Sequence, residues 1–463
     1  MLVEFAVENF KSFKNYITFS MLSTNKTGLP EHCMPLMSSE KGIQVNKLGI
    51  LFGPNGSGKS NLLQALSLMI TMVTQQGIAR VTQENIVHPP FVPFHFSTAS
   101  RTCPTLFQTI FEWKGLFFRY GFTYNASGIQ KEWLYSGKPE DESLIFMRHD
   151  ADSIEYGREA EKKLQAAREH LTPFSLLLTV GAELKVSVCQ TAMEFFAANV
   201  SNLSSLSLGE MVEHAEFLPV FSTLLRFADI GIEQVESQEE QGRGEFPIPK
   251  EMPEDLRGAM EVLRKYAVEQ HEKKAFFRHT TRDNTLDASD CVLPEDEESQ
   301  GTRMFLRHIY RICLALRNDG IILCDELETG LHPLLVVGLL KFFTSVKNSR
   351  AQMICTSHCP VLFSREIVRR DELWIVEKDS AGQSFLQSIS DFEGTQPGLN
   401  LTQTYLDGRF GGIPLLGNAL LRQSIEAVEN MLNMAQAKTA PKDMPAADTP
   451  KNSGRLKGKS HAN

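Results

Sequence analysis

The stretch Gly53-Pro54-Asn55-Gly56-Ser57-Gly58-Lys59-Ser60 constrains this chain more than any other. It follows the apolar run Leu48, Ile50, Leu51, Phe52 and precedes Asn61 to Val73, where Leu62, Leu63, Leu66, Met69, Ile70 and Val73 recur at helical spacing. A strand, a glycine-rich loop and a helix in that order make a phosphate cradle. The glycines let consecutive backbone N–H groups curl round an anion, and the helix N-terminus adds the positive end of its dipole. Lys59 reaches the outer phosphates, and the Ser60 hydroxyl can ligate Mg²⁺. The expectation is a purine nucleotide with Mg²⁺, held by Gly53, Asn55, Gly56, Ser57, Gly58, Lys59, Ser60 and Asn61.

The bulk properties narrow the setting. A length of 463 residues accommodates one large domain or two to three ordinary ones. Hydrophobic residues at 42% and charged residues at 22% fit a soluble globular chain. No run of 18 apolar residues occurs, and Glu4 and Glu8 stand where a signal peptide needs a basic start, so the expected location is the cytoplasm, with no membrane contact. The eight cysteines are scattered without a Cys-x-x-Cys, which points to reduced, buried thiols and not to zinc. A net charge of −9 gives no global attraction to nucleic acid, so any such binding needs a local basic patch.

The remaining chain divides by pattern. Leu2 to Val7 and Tyr16 to Met21 read as an antiparallel strand pair at an edge, leading into the strand before the glycine loop. Thr105 to Trp113, Phe117 to Asn125 and Ile129 to Tyr135 alternate as an antiparallel meander with Lys114-Gly115 and Ala126-Ser127-Gly128 as turns. From 150 to 292 the expectation is a helical insertion, with helices over Ile154 to His170, Gln190 to Leu203, Val212 to Phe227 and Pro253 to Lys274, and a mobile loop over Glu236 to Pro249. No heptad pattern lasts three repeats, so a long coiled coil is not expected. A further helix is expected from Arg303 to Leu316 and another from Leu334 to Phe343, with Glu372 to Val376 and Ser384 to Ile389 as closing strands. The expected divisions are therefore 1–149, an N-terminal lobe; 150–292, the insertion; 293–416, a C-terminal lobe; 417–433, a helix; and 434–463, a disordered basic tail too poor in apolar surface to fold.

Two short buried strands carry the remaining chemistry. Ile321-Ile322-Leu323-Cys324 is apolar at every position, as a parallel strand covered on both faces must be, and ends in Asp325-Glu326. Asp325 can complete the Mg²⁺ shell opposite Ser60, while Glu326 is suited to orienting and deprotonating an attacking water. Gln352 to Thr356 is the second such strand and ends in Ser357-His358, where the His can face a terminal phosphate.

Taken together, Gly53 to Ser60, Ser299-Gln300-Gly301-Thr302, Ile321 to Glu326, Thr329-Gly330-Leu331-His332-Pro333 and Ser357-His358 resemble the Walker A, signature, Walker B, D-loop and H-loop of ABC-type ATPases. Glu8-Asn9-Phe10-Lys11-Ser12-Phe13 is similar to the opening of the soluble SMC, RecF and OLD heads. Glu298 to Arg303, Leu373 to Lys378 and Tyr405-Leu406-Asp407-Gly408-Arg409-Phe410-Gly411-Gly412-Ile413-Pro414 resemble the AAA-ATPase-like proteins of anti-phage and abortive-infection loci, the RloA or AbiL type. The signature departs from Leu-Ser-Gly-Gly-Gln, retaining only Ser299 and Gly301, and the Q-loop glutamine is open between Gln108 and Gln130.

The resemblance implies an α/β P-loop NTPase fold, an ABC-type head with a meander beside a parallel-sheet core. It implies ATP hydrolysis with Mg²⁺ on Ser60 and Asp325, catalytic roles for Glu326 and His358, and a homodimer or higher homo-oligomer in which Ser299 and Gly301 complete the site of the other copy. It also implies a co-encoded effector, RloB-like or a Toprim-type nuclease. The alternative is a RecF- or SMC-type ATPase that binds DNA ends. A transporter subunit is disfavoured by the large insertion and the Asn-Phe-Lys-Ser-Phe opening. A self-contained Toprim nuclease is disfavoured because the sole Asp-x-Asp, Asp150-Ala151-Asp152, lies upstream of Ser299.

Overall fold

The computed structural model describes residues 1–24, 28–75, 89–150, 153–158, 162–199, 206–228, 230–241, 271–280, 291–392, 399–414 and 417–439. The chain separates into two compact units, Met1–Ile413 and Pro414–Asn463.

In the first unit, strands β1 (Leu2–Glu8), β2 (Ile17–Ser20), β3 (Cys33–Pro35), β4 (Gln44–Asn46) and β5 (Leu48–Phe52) precede helix α1 (Lys59–Gln75). Then come β6 (Thr105–Trp113), β7 (Leu116–Asn125), β8 (Gly128–Lys138), β9 (Asp141–Arg148) and β10 (Ile154–Tyr156), followed by helices α2 (Lys162–Ala166), α3 (Leu177–Glu183), α4 (Ser187–Ala197), α5 (Leu208–Val212) and α6 (Leu218–Phe227). Strands β11 (Ile232–Gln241), β12 (His271–His279) and β13 (Val292–Pro294) lead to α7 (Gln300–Asn318), β14 (Ile321–Cys324), α8 (Pro333–Ser345), β15 (Gln352–Thr356), β16 (Leu373–Lys378), β17 (Ser384–Ser388) and α9 (Leu401–Leu406). The second unit contributes α10 (Asn418–Thr439).

The central sheet runs β14-β15-β5-β16-β17. The first four strands are parallel and β17 is antiparallel to β16. Each parallel strand divides its side chains between two cores. Leu51, Ile321, Ile354, Trp374 and Val376 face the cluster built with the meander, α1, α3 and α4. Leu48, Ile50, Phe52, Ile322, Cys324, Met353, Cys355, Leu373 and Ile375 face the other, built with α5, α6, α7 and α8. This two-sided burial is why the strands read as unbroken apolar runs. The second sheet is the meander, β10-β9-β8-β7-β6-β1-β2, antiparallel throughout.

Several expectations change here. The first two strands do pair antiparallel, but they belong to the meander and not to the sheet of the glycine loop. Gln352, fully buried at the start of β15, joins the two sheets by accepting from Leu2 N–H and donating to Leu2 O (2.9 Å) and Asn46 O (3.0 Å). β16 is an internal parallel strand beside β5, and only β17 closes the edge. The helix expected over Ile154 to His170 is instead strand β10 and helix α2, followed by a 3₁₀ turn at Ala167–His170. The helix expected from Gln190 begins at Ser187 and ends at Ala197, and residues 200–203 of that expectation lie outside the described residues. Val212 to Phe227 is broken into two helices.

The largest correction is a three-stranded antiparallel sheet, β11-β12-β13, of which β11 and β12 lie within the span expected to be a helical insertion. Residues 236–241 of the expected loop and 271–274 of the expected last helix are strand, and the rest of both lies outside the described residues. β11 is almost all polar, so period-2 apolar alternation is barely visible, and Ile232 and Val235 are its buried residues among the side chains described. β11 pairs with β12 through the antiparallel backbone ladder, across which Arg278 lies 4.0 Å from Glu236, while Lys273, opposite Glu239, pairs with Glu213 (2.7 Å).

One buried ionic cluster ties the meander to the helix behind the glycine loop. Glu132, fully buried on β8, accepts from Leu177 N–H (2.7 Å), Leu178 N–H (2.9 Å) and Tyr120 O–H (3.0 Å), with the Arg148 guanidinium 3.9 Å away. Burial pushes its carboxyl up, while Arg148 and these donors pull it back. The carboxylate thus satisfies N–H groups at the start of α3, whose Thr179 hydroxyl in turn donates to Val73 O of α1 (2.8 Å). Glu132→Gln keeps the shape but removes the charge facing Arg148 and an acceptor. Its expected cost, measured by chemical unfolding, is about 3 kcal/mol.

Candidate nucleotide site

The loop between β5 and α1 is set by close backbone approach. Gly53 has φ +152°, and a Cβ there would stand 2.2 Å from Val376 O of β16. Gly58 has φ +111°, and its Cβ would meet Ser384 Oγ at 2.4 Å and Ser12 Oγ at 2.7 Å. Both positions therefore require glycine on two counts, space and conformation. The two serines behind Gly58 are built in: Ser384 Oγ donates to Ser57 O (2.5 Å), Ser384 N donates to Ser12 O (2.8 Å), and Asn61 Nδ2 donates to Ser12 Oγ (2.7 Å). Asn55 and Gly56 at the loop tip are exposed, whereas Ser57 is buried and its hydroxyl has no partner among the described residues.

The Asn-Phe-Lys-Ser-Phe opening now has a physical role. Asn9 donates to Ser100 O (2.8 Å) and Cys103 O (2.7 Å) and accepts from Phe94 N–H (3.1 Å), pinning the loop before β6. Phe10 and Phe13 enter the core, Lys11 donates to Gln64 on α1, and Ser12 backs the glycine loop.

Across the loop, Asp325 Oδ1 accepts from both Ser60 Oγ (3.0 Å) and Thr356 Oγ1 (2.6 Å), and Thr356 Oγ1 accepts from Glu326 N–H (2.7 Å). The ends of α1, β14 and β15 thus meet at one hydroxyl-carboxylate cluster. Glu326 has a left-handed backbone, φ 50°, and its Oε2 accepts from Thr329 Oγ1 (3.1 Å). Lys59 Nζ donates to Gly53 O (2.8 Å) and Pro54 O (3.2 Å). Burial pushes its ammonium down, opposed by the negative charges of Asp325, Glu326 and Glu328.

The other expected residues sit as follows. His358 is exposed, with its backbone N–H held by Glu328 Oε1. Ser299 caps α7, accepting from Thr302 N–H (3.0 Å) and bonding Thr302 Oγ1 (2.9 Å). Gly301 lies against the D-loop, where a Cβ would stand 2.6 Å from Gly330 O. The bonds of Ser299 join it to its own helix turn and not to the glycine loop. Both Q-loop candidates are engaged within the meander: Gln108 accepts from Trp133 Nε1 (3.1 Å), and Gln130 donates to Asn125 Oδ1 (3.2 Å).

Four contributors were missed from sequence. Thr356 was seen only as the last residue of a strand, Ser384 as part of an edge. Glu328, two residues after the acidic pair, has its Oε2 buried without a hydrogen-bond partner among the described residues. Within the Tyr405 to Pro414 stretch, which the sequence marks only by resemblance, Tyr405 and Gly412 buttress the loop. Gly412 N–H donates to Glu377 Oε1 (2.8 Å), Tyr405 O–H donates to Gly412 O (3.1 Å), and a Cβ on Gly412 would lie 3.6 Å from Gly53 Cα. Tyr405 stacks on Phe363, with ring centroids 4.2 Å apart, and both rings join the core built with α5 to α8.

A glycine loop between a central parallel strand and a helix, with an Asp-Glu pair directly after a parallel strand two places away and an antiparallel sheet alongside, defines an α/β P-loop ATPase fold. The family model "AAA domain, putative AbiEii toxin, Type IV TA system" matches residues 50–171 and 226–364, more than half of the chain, and the chain belongs to that family. No curated protein matches. Among solved structures, the chain is similar to "Crystal structure of the SmcHead bound to the C-winged helix domain of ScpA" at 13% identity and TM-score 0.40, covering 84% of this chain and 97% of that one. It is also similar to the SMC head domain from Thermotoga maritima at 14% identity and TM-score 0.37, covering 84% and 98%. A third is the Smc head domain with an extended coiled coil bound to the C-terminal domain of ScpA derived from Pyrococcus furiosus, at 13% identity and TM-score 0.36, covering 88% and 98%. Among the described residues no helix is long and apolar enough to cross a membrane.

The buttress is testable. Gly412→Ala forces an L side chain into φ +67° and places its Cβ 2.8 Å from Ile375 Cγ2 behind Gly53. Nucleotide affinity, measured with a fluorescent ATP analogue, should fall about tenfold, as a strain of about 1–2 kcal/mol reaches the loop. Gly28→Ala, at φ +84° with open space around it, should lose stability and keep its affinity.

Proposed function

We propose that this chain binds ATP with Mg²⁺, hydrolyses it, and uses the nucleotide state as a switch on a second protein in bacterial defence against phage. The observation that carries the ATPase reading is the meeting of Ser60, Asp325 and Thr356 directly beside Glu326. A hydroxyl and a carboxylate oxygen 3.0 Å apart are the hard-oxygen pair suited to Mg²⁺. Ser60 and Asp325 would hold the ion, which would supply positive charge to offset that of the phosphates. Lys59 and the backbone N–H groups of Gly53 and of Asn55 through Asn61 bind and orient the phosphates. Glu326 orients a water and accepts its proton as the water oxygen bonds to the terminal phosphorus and the bond to the bridging oxygen breaks. His358 adds a donor at the transferred group.

Ser299 and Gly301 bond within their own helix turn and against the D-loop. They serve the site of a second copy in a head-to-tail homodimer. The effector is a co-encoded protein, RloB-like or a Toprim-type nuclease, and the cell compartment is the cytoplasm. Resemblance to the RloA and AbiL type and membership of a family described by a toxin of a toxin–antitoxin system support this reading.

Glu326→Gln should retain ATP binding and lose turnover by at least about 100-fold, as loss of a general base does, while Lys59→Ala should lose affinity. Turnover at the wild-type rate in Glu326→Gln would remove the assigned role. Thr356→Val, which deletes one donor to Asp325, should slow turnover about tenfold, the loss of a hydrogen bond to a charged group. For the shared site, Lys59→Ala chains mixed with Ser299→Arg chains, each inactive alone, should regain activity. Mixed dimers without recovery would refute composite sites. Phage plating on cells carrying the whole locus should show protection that Lys59→Ala, Glu326→Gln and effector deletion each abolish. Unchanged protection in those strains, together with salt-dependent DNA binding by the purified chain, would favour the DNA-end-binding ATPase.

A further inference from the structure

Helix α10 contributes no residue to the nucleotide site described above. Leu421, Ile425, Val428 and Leu432 follow one another at spacings of four, three and four, and each is at least half exposed. Leu420, Met431 and Met434 widen the stripe. A helix of 22 residues gains most of its stability from burying such a face, and spacings of four and three are those of the a and d positions of a two-helix seam.

The residues beside the seam select the occupant. With Ile425 and Leu432 at a and Leu421 and Val428 at d, Arg422 and Glu429 both fall at e, and Ser424 and Met431 at g. A parallel pair would set g against e, facing Gly417 with Arg422 and Ser424 with Glu429, and no opposite charges would meet. An antiparallel pair of identical helices sets e against e. Leu421 then packs across Leu432 of the second copy and Ile425 across Val428 of the second copy. Arg422 faces Glu429 of the second copy, and the two-fold axis repeats that charge pair on the other side. We infer that α10 is a self-association surface that pairs antiparallel with α10 of a second copy of this chain. Such an isologous contact is complementary to itself under a two-fold rotation, in apolar layers and in charge. It forms without nucleotide and raises the effective concentration of one head at the other.

The test is independent of any ATPase role. The full chain carrying Lys59→Ala, free of nucleotide, is measured by sedimentation equilibrium, with far-UV circular dichroism as the check on folding. A dimer is expected, and the double variant Ile425→Asp, Val428→Asp should be monomeric. Arg422→Glu and Glu429→Arg each turn two attractive pairs into two repulsive ones and should each weaken association about tenfold. Mixed together they should form a heterodimer of wild-type strength, because one chain then carries only Glu at both positions and the other only Arg. A chain that is monomeric at every concentration, a dimer that survives both aspartates, or charge variants that gain nothing on mixing would each overturn the assignment.

Discussion

One carboxylate oxygen organises the site. Asp325 Oδ1 accepts from Ser60 on α1 and from Thr356 at the end of β15, while Asp325 itself directly follows β14. Hydrogen bonds to an ionised acceptor contribute about 1.5–3 kcal/mol each, more than neutral ones. The three chain segments so joined are far apart in sequence, and none could hold this geometry alone. The strands bring them together because a parallel sheet places all its C-terminal ends at one edge, and the loop of β5 opens on that same edge. The rest of unit one provides the burial that such a sheet requires. The meander with α1, α3 and α4 covers one face, and α5 to α8 cover the other.

How much of this was legible follows from where the information lies. The glycine loop, the two apolar strands and the acidic pair are local patterns, and β14 and β15 have the predicted residues at both ends. Ser12 and Ser384 were legible as residues but not as partners, since their meeting behind Gly58 depends on tertiary contact. The sheet β11-β12-β13 was read as helix and loop because its strands carry charge where a half-buried strand carries alternating apolar residues. Its register, with Glu239 opposite Lys273, spans a connection of 29 residues between the strands. The same physics explains why β16 was misplaced: an apolar run of four residues fits an edge or an interior equally well until its neighbours are known.

The loop is held from behind by residues on three separate segments, and this explains otherwise unrelated sequence features. Ser12 stands behind Gly58, Val376 O abuts Gly53, and Gly412 packs beside Gly53 with its N–H on Glu377. The approaches of Val376 O to Gly53 and of Ser12 Oγ to Gly58 are too close for a side chain, and a Cβ on Gly412 would meet Ile375 Cγ2 at 2.8 Å, so these glycines are needed for contact as much as for conformation. A loop packed on backbone has little freedom to deform, and donors fixed before a ligand arrives need no reorganisation when charge develops.

Glu326 shows the same principle at a cost. A left-handed backbone in a non-glycine residue is unfavourable by about 1–2 kcal/mol, yet Glu326 holds φ 50°. It is kept there from both sides: its N–H donates to Thr356 Oγ1, its C=O accepts from Thr329 N–H (2.9 Å), and its carboxylate accepts from Thr329 Oγ1. Such strain persists only where the surroundings over-determine it. Because Thr356 serves both Asp325 and Glu326, the orientation of the one acid is mechanically linked to that of the other. The acidic pair is therefore positioned as a single unit, and Thr356, with no charge of its own, fixes the relation between the two carboxylates.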